Sequence, residues 1–409
     1  MSMSSHQAQS QPQSASGTET ADCSRFRRGL LGIVAALATV AVVSAGNGAW
    51  KWSGPHNDKA VSMLIIGDID IQRRADPATA FAHLRDTLVA ADVVYANLEG
   101  MLVKPQGPEV DIPDKRGWRH PGPEGVIALT SANVKVVGVA NNVAYDRANI
   151  VQTLKVLDEN GIIHTGGGAN IEAAHEPAIV ERKGVKIGFL QYTARWYQDN
   201  EQLATATDPG VAKIASRDGV TIDPSDLDRV RADIRRLRAK VDIVVVSHHN
   251  RDGATATQFG SAGTGRSGGS ARRDNHISEE YQKLFAHVAL DTGADLVYGH
   301  GTHRVQGVEV YHGKPILYAI GHSAFDQPGY ENSKDGLVVH AVIEGKKIRR
   351  VSFVPVTRDA KNDVLMLDPS TGDGAKLVDV IKGLSGQTPL RIEGQEVVLL
   401  APSSRTSHD

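Results

Sequence analysis

The sequence predicts an α/β protein built as a four-layer α/β/β/α sandwich, with two sheets packed face to face between helices. Three observations predict it. Apolar strands alternate with helical patterns through the first half of the body, as βα units do. The second half finishes in strand hairpins. Five strands run out onto Asp, Asn, Glu or His, and in layered α/β folds such carboxyl ends gather on one edge where ligands bind.

Taken in order, Ser62–Ile66 (SMLII) is a strand that enters Gly67-Asp68-Ile69-Asp70. Phe81, Leu84 and Leu88 predict a helix over Ala78–Ala91, and Val93–Ala96 is the next strand, ending in Asn97-Leu98-Glu99-Gly100. Pro and Gly between Lys104 and Pro123 mark a long loop placed to cover the site. Pro123–Ser131 reads as a short helix and Val134–Val139 as a third strand, ending in Ala140-Asn141-Asn142. Ile150, Leu154 and Leu157 give a helix stopped by Asn160-Gly161. Ala178–Arg182 and Val185–Tyr192 flank Lys183-Gly184 as a hairpin.

Asp223-Pro224 opens an amphipathic helix with Leu227, Val230, Ile234 and Leu237 on one face and its arginines in solvent. Val241–Ser247 (VDIVVVS) is a strand ending on His248 and His249. Arg251–Asn275, rich in Gly, Ser, Thr and Ala, reads as a mobile loop. A helix follows with Ile277, Tyr281, Leu284 and Val288 at core spacing. Leu296–Tyr298 leads to His300 and His303, on a loop that Gly301 and Thr302 leave open. Val305–Tyr311 and Pro315–Ile320 surround His312-Gly313, and Gly336–Ile343 and Ile348–Val356 flank Gly345. The folded domain is therefore expected over residues 61–358, with 359–409 a weakly patterned extension to which no role is assigned.

The 409 residues, 41% hydrophobic and 22% charged, suffice for a substantial core. A net charge of −2 offers no basic excess for nucleic acid. The single cysteine, Cys23, lies near the N-terminus, so the body holds no internal disulfide and no thiolate-bound zinc. Residues 1–24 are Ser-, Gln- and Ala-rich and expected to be disordered. Arg25-Phe26-Arg27-Arg28 then precedes an apolar run, Gly29–Val43, and the small residues Ser44, Ala45 and Gly46. That order is an export signal over residues 1–49, followed by a linker at 50–60. Arg27-Arg28 also permits twin-arginine export. An uncleaved anchor is the alternative, the run being slightly short of the about 20 residues of a full span. Either way the body is expected outside the cytoplasm, periplasmic or membrane-anchored.

Each histidine alone is more often an ordinary surface or core residue. Two strands that each deliver a pair at their ends favour a metal site, because imidazole is a common metal ligand. With Asp68, Asp70, Asn97, Glu99 and Asn142 from the other strand ends, the residues His248, His249, His300 and His303 collect the nitrogen and oxygen donors that one or two divalent ions require.

The motifs GDI, ANLEG, ANN, VVSHH, GADLVYGHGTH with RVQG, and YAIGHSAFD follow one another over residues 62–330. In this order they resemble the capsule and poly-γ-glutamate biosynthesis proteins of CapA type, a family similar in fold and ligand layout to calcineurin-like metallophosphoesterases. The resemblance implies a sandwich of metallophosphoesterase type with Asp68, Asn97, Glu99, Asn142, His249 and His303 as metal ligands. The chain departs from the family at several of these places. Val143 replaces a histidine that can protonate a leaving group, Gly301 stands where a ligand would be, Asn250-Arg251 replaces Trp-Gly, and His322 replaces an asparagine. Two readings stay open: a crippled site, or a rewired one that recruits Asp70, His248, His300 and His322.

The resemblance implies an exported protein acting in synthesis, anchoring or export of an anionic surface polymer such as poly-γ-glutamate, beside membrane-associated synthesis or export proteins. Manganese, zinc or iron, one or two ions, would be the cofactor. His248 or His322 would then have to protonate a leaving group. The alternatives are a periplasmic metallophosphoesterase or nucleotidase acting on a phosphoester, and a polymer-binding scaffold without catalysis.

Overall fold

A computed structural model describes residues 58–104, 118–196, 202–216, 218–250, 278–327 and 334–399. The export signal, most of the linker, most of the Lys104–Pro123 loop and the Arg251–Asn275 loop lie outside the described residues.

The chain begins with β1 (Val61–Asp70), a 3-10 turn (Pro77–Phe81), α1 (Arg85–Val89), β2 (Val93–Leu98), α2 (Val126–Ser131), β3 (Val136–Gly138), α3 (Arg147–Glu159) and β4 (Ile163–Thr165). Then come β5 (Gly167–Gly168), α4 (Ile171–Ala174), the hairpin β6 (Ala178–Arg182) and β7 (Val185–Thr193), β8 (Gly210–Val211) and α5 (Pro224–Arg238). Next are β9 (Ile243–His249), α6 (Glu280–Thr292), β10 (Leu296–His300), β11 (Val308–Tyr311) and β12 (Lys314–Leu317). The chain closes with β13 (His322–Phe325), β14 (Gly336–Glu344), β15 (Lys347–Arg358), β16 (Val364–Met366), α7 (Gly372–Leu384), β17 (Leu390–Glu393) and β18 (Glu396–Leu399).

The larger sheet runs β17-β18-β15-β14-β1-β2-β3-β4, with β13 also beside β1 and β16 beside β15. The smaller runs β11-β12-β10-β9-β7-β6. β1 to β4 are parallel, as are β7, β9, β10 and β12, so the carboxyl ends of each set lie on one edge. Period-2 alternation then builds the layers. Met63, Ile65 and Tyr95 point between the sheets against Phe189, Val245 and Tyr298. Leu64 and Ile66 point the other way, onto Leu88, Leu129 and Leu157 of the first three helices. On the outer face of the smaller sheet, Val244 and Val246 meet Leu227, Val230 and Ile234 of α5 and Phe285 of α6. Each such side chain contributes roughly 1.5–3 kcal/mol on burial. The α/β/β/α sandwich expected from the sequence is the fold.

One irregularity positions the site. In the β1–β2 register Ile66 lies opposite Ala96, but Asp68 lies opposite Asn97, so Gly67 is an extra residue bulged out of the ladder. The bulge resets the alternation. Asp68 faces the space between the sheets, and Ile69 returns to the helical layer with Ile66. A Cβ at Gly67 would stand 2.2 Å from the carbonyl oxygen of Gly321, so only glycine allows this approach.

Several expectations need correction. The helix expected over Ala78–Ala91 is split, because Asp76-Pro77 starts a tight 3-10 turn and α-helical bonding begins only at Arg85. Phe81, Leu84 and Leu88 are nonetheless all buried. On α6 the buried stripe is Tyr281, Phe285 and Ala289, and Leu284 is left 37% exposed, one position off the expected face. The tail beyond Asp359 supplies β16, β17 and β18 to the larger sheet, with α7 packing Leu377, Val378 and Ile381 into the core between the sheets.

Candidate metal centre

Asp68 is wholly buried at the end of β1. Its Oδ1 accepts from Asn97 Nδ2 at 2.8 Å, and its Oδ2 accepts from the backbone N–H of Gly301 at 3.0 Å. His300 Nδ1 lies 3.2 Å from Oδ1. Burial pushes this carboxyl up, but the His300 hydrogen bond and charge, the His322 charge and the Asn97 amide outweigh it. They hold the Asp68 pKa below the ordinary carboxylate value.

Two imidazole pairs share this carboxylate, and within each group the ligand atoms lie within 4.8 Å of one another. The first pair is His249 and His300, side by side in the parallel β9–β10 register with Nδ1–Nδ1 3.0 Å apart. His249 Nε2 donates to Asn142 Oδ1 at 2.8 Å. The N–H of Ala140 donates to Gln191 Oε1 at 2.7 Å, which fixes the amide orientation. Gln191 Nε2 is then left to donate to Asn97 Oδ1 at 3.0 Å and to His300 Nε2 at 2.8 Å. Neutral His300 accordingly carries its proton on Nδ1, between Asp68 Oδ1 and His249 Nδ1. A positive hydrogen occupies the place that suits a cation.

The second pair is His303 and His322, with Nδ1 of the first 2.6 Å from Nε2 of the second. His303 sits on the loop after β10 in the left-handed region, φ 59°. His322 opens β13 directly beside Asp68 and stacks on Phe325 at 3.9 Å and 8°.

The donor set fits a divalent metal. Neighbouring ligands on a six-coordinate ion with bonds of about 2.0–2.2 Å stand about 3 Å apart. His300 Nδ1 stands 3.2 Å from Asp68 Oδ1 and 3.0 Å from His249 Nδ1, which matches that figure, and carboxylate with imidazole suits manganese, iron and zinc. A third grouping, His83, Asp359 and Asp363, lies nearer the surface, where Arg74 already holds Asp363 at 2.6 Å.

Of the residues singled out in the sequence, Asp68, His249, His300, His303 and His322 meet at the two groups, and Asn97 and Asn142 hold them by hydrogen bonds. Asp70 is turned aside: its carboxylate accepts from Gln72 N at 3.0 Å and Gln72 Nε2 at 2.7 Å. Glu99 is buried beyond the end of β2 but belongs to neither group. His248 is not brought to the cluster. Adjacent strand residues face opposite ways, so His249 points between the sheets while His248 points into the α6 layer, 4.7 Å from the Phe285 ring. Burial, with the nearby His300, pushes its pKa down to about 3, Asn250 pulling slightly back. His322, expected as a proton donor, is instead engaged with His303.

Gln191 was missed. Its signal was a polar residue at the inward position of β7 that follows Ile187 and Phe189. By sequence, Gly301 counts as a lost ligand. In the structure a Cβ there would come within 2.6–2.8 Å of the His249 ring, and the backbone has φ +86°. Gly301 makes room for His249 and gives its N–H to Asp68.

Fold and site together define a layered α/β protein with a buried carboxylate–histidine centre at its strand ends. The chain belongs to the bacterial capsule synthesis protein PGA_cap family, whose model matches residues 46–258 and 270–327. It is 24% identical over 326 residues to the PGA biosynthesis protein CapA of Bacillus subtilis (strain 168), covering 75% of this chain and 76% of that one. It is 30% identical over 255 residues to a probable polyglutamine synthesis accessory protein of Mycobacterium tuberculosis, covering 61% and 59%. The chain spans 66% of the length of two uncharacterized Sinorhizobium fredii relatives, at 24% identity over 65% of its own. Among solved structures, a novel phosphatase from Mycoplasma pneumoniae aligns over 75% of this chain and 93% of that one, at 10% identity and a TM-score of 0.39.

Proposed function

We propose that this chain is an exported accessory protein in the synthesis, anchoring or export of an anionic cell-surface polymer such as poly-γ-glutamate, working with one or two divalent metal ions. Family membership and the names of the Bacillus and Mycobacterium relatives support the polymer. The observation that carries the metal is Asp68, a single buried carboxylate common to two imidazole pairs. The run Arg25–Ala49 supports export, and the partners would be membrane-associated synthesis or export proteins.

Asp68 supplies the negative charge, and Asn97, Gly301 and His300 fix both its oxygens. Asn142 orients His249, Gln191 orients His300, and His303 and His322 offer a second pair of nitrogens across the same carboxylate. When bound there, divalent ions polarise a phosphoryl or acyl oxygen and lower the pKa of a coordinated water. These side chains are buried, and the low local dielectric strengthens every charge interaction among them. The same centre also favours a second reading, a periplasmic phosphoesterase or nucleotidase unconnected to polymer.

The test has two arms. Elemental analysis and zinc and manganese titration of the purified body should find metal in the wild type and none in Asp68→Ala. Polymer yield should fall in a strain lacking the protein, and be restored by wild type but not by Asp68→Ala. Metal binding without any effect on polymer would favour the phosphoesterase reading, which a screen of phosphoester substrates would then examine. No metal in the wild type would sink both.

A further inference from the structure

The segment Trp118–His120 is tied to three strand ends. Arg119 N donates at 2.9 Å to the Gln72 side chain, two residues past Asp70. Met101 N, just past Glu99, donates to His120 Nδ1 at 3.3 Å. Trp118 packs on Val143, the residue after Asn142. The segment therefore lies at the rim of the strand ends that hold the metal centre.

Trp118 Nε1 also donates to His120 Nδ1, at 3.2 Å. A backbone amide and an indole can only donate, so Nδ1 must accept and the proton of the neutral ring stands on Nε2. His120 is 2% exposed, and its Nε2 has no hydrogen-bond partner among the described residues. Burial holds the ring pKa down at about 4 against the pull of Asp146, so the donor is uncharged at neutral pH. A histidine needed only for packing would gain from satisfying both nitrogens, because burying an unmade N–H bond costs free energy. One edge is anchored twice, and the other is kept as a fixed N–H.

We propose that His120 is a substrate-facing hydrogen-bond donor of this site, presenting Nε2–H to an anionic oxygen, phosphoryl or carboxylate, of the molecule bound over Asp68. The proposal rests on the function proposed above, and its test separates the two. Wild type, His120→Gln and His120→Ala would each be titrated with zinc and then, zinc-loaded and zinc-free, with inorganic phosphate and with tri-γ-glutamate. Zinc affinity should be unchanged in both variants, since His120 touches none of the candidate ligands. Affinity for one of the two probes should fall about tenfold or more in His120→Ala, as for a lost hydrogen bond to a charged group, and recover partly in His120→Gln. The probe affected identifies the anion. Nitrogen-15 NMR of the wild type should show the Nε2–H tautomer at His120. Equal affinity of all three proteins for both probes, no binding of either probe to wild type, or an Nδ1–H tautomer would overturn the proposal. A wild type that binds no zinc defeats the metal reading alone, and the zinc-free titrations and the NMR still decide His120.

Discussion

The two imidazole pairs that share Asp68 are held in different ways. In the first, His249 is fixed from behind by Asn142 and His300 by Gln191, and Gln191 is itself fixed by a backbone N–H. In the second, His322 is held by ring stacking on Phe325, and His303 stands on a loop with left-handed backbone. Both imidazoles of the first group stand on paired strands, whereas His303 of the second stands on a loop, and a ligand on a strand is placed more precisely than one on a loop. The first group is thus preorganised for one geometry, and the second can adapt. We expect a tight, selective metal step and a weaker, permissive one.

Asp68→Ala is the harshest test of this difference, because it removes the charge common to both groups. Changes to the groups hydrogen-bonded behind a metal ligand cost about 10–100-fold in affinity, and loss of the shared ligand should exceed that for both steps. A tight step surviving in zinc titration would show that the carboxylate is not shared. His249→Ala and His322→Ala come next and should dissociate the steps, the former abolishing the tight one and the latter the weak one. If either variant loses both, the two groups behave as one site.

Smaller effects should follow from the residues behind the ligands. Gly301→Ala crowds the His249 ring and should weaken only the tight step, by about 10–100-fold, whereas Gln191→Leu removes the donor that keeps the His300 proton on Nδ1, the nitrogen a metal needs, and should strengthen that step. Calorimetry in buffers of different ionisation enthalpy should detect no proton release in that step well above pH 6.5, since a cation on Nδ1 shifts the proton of neutral His300 to Nε2 without expelling it. Affinity should also decline as the pH falls through about 6.5, the free histidine value.

His248 provides the mildest test, outside both groups. Its folded pKa of about 3 lies below the ordinary 6.5, so the unfolded chain binds the extra proton between those values. The neutral buried form is fully compatible with folding above pH 6.5, and stability is lost as the pH falls towards 3. His248→Phe should flatten the acid limb of a denaturation series by at most about 1.4 kcal/mol per pH unit, leaving metal affinity unaltered. A change in the tight step would place His248 closer to the centre than its side of β9 allows.

Strand ends and their donors were legible because apolar runs ending in Asp, Asn or His stand out. Which face each donor takes was not. β9 is buried on both sides, so Val244 and Val245 look alike in sequence, and nothing in the pattern says which of His248 and His249 points inward. The face of Asp68 was hidden for another reason: counting by twos from Met63 and Ile65 assigns it to the helical layer, and only the register with β2 reveals the bulge. Gln191 needed knowledge of what lies across from β7. The last strands, β17 and β18, are four residues each, and β18 pairs with β15, remote in sequence, so no local signal announces them.

The approach of Gly67 to the Gly321 carbonyl has a consequence for how relatives of this protein should be compared. A roster of the side chains that could bind metal leaves out both glycines, although each stands beside a donor in its motif. Yet any residue with a Cβ at 67 would force two backbones apart at the bulge that turns Asp68 between the sheets, with every ligand still present in the sequence. Degeneration of such a centre can therefore begin at a position that carries no chemistry. Spacing between main chains, and not the roster of donors, is the quantity by which intact and defunct members would be told apart.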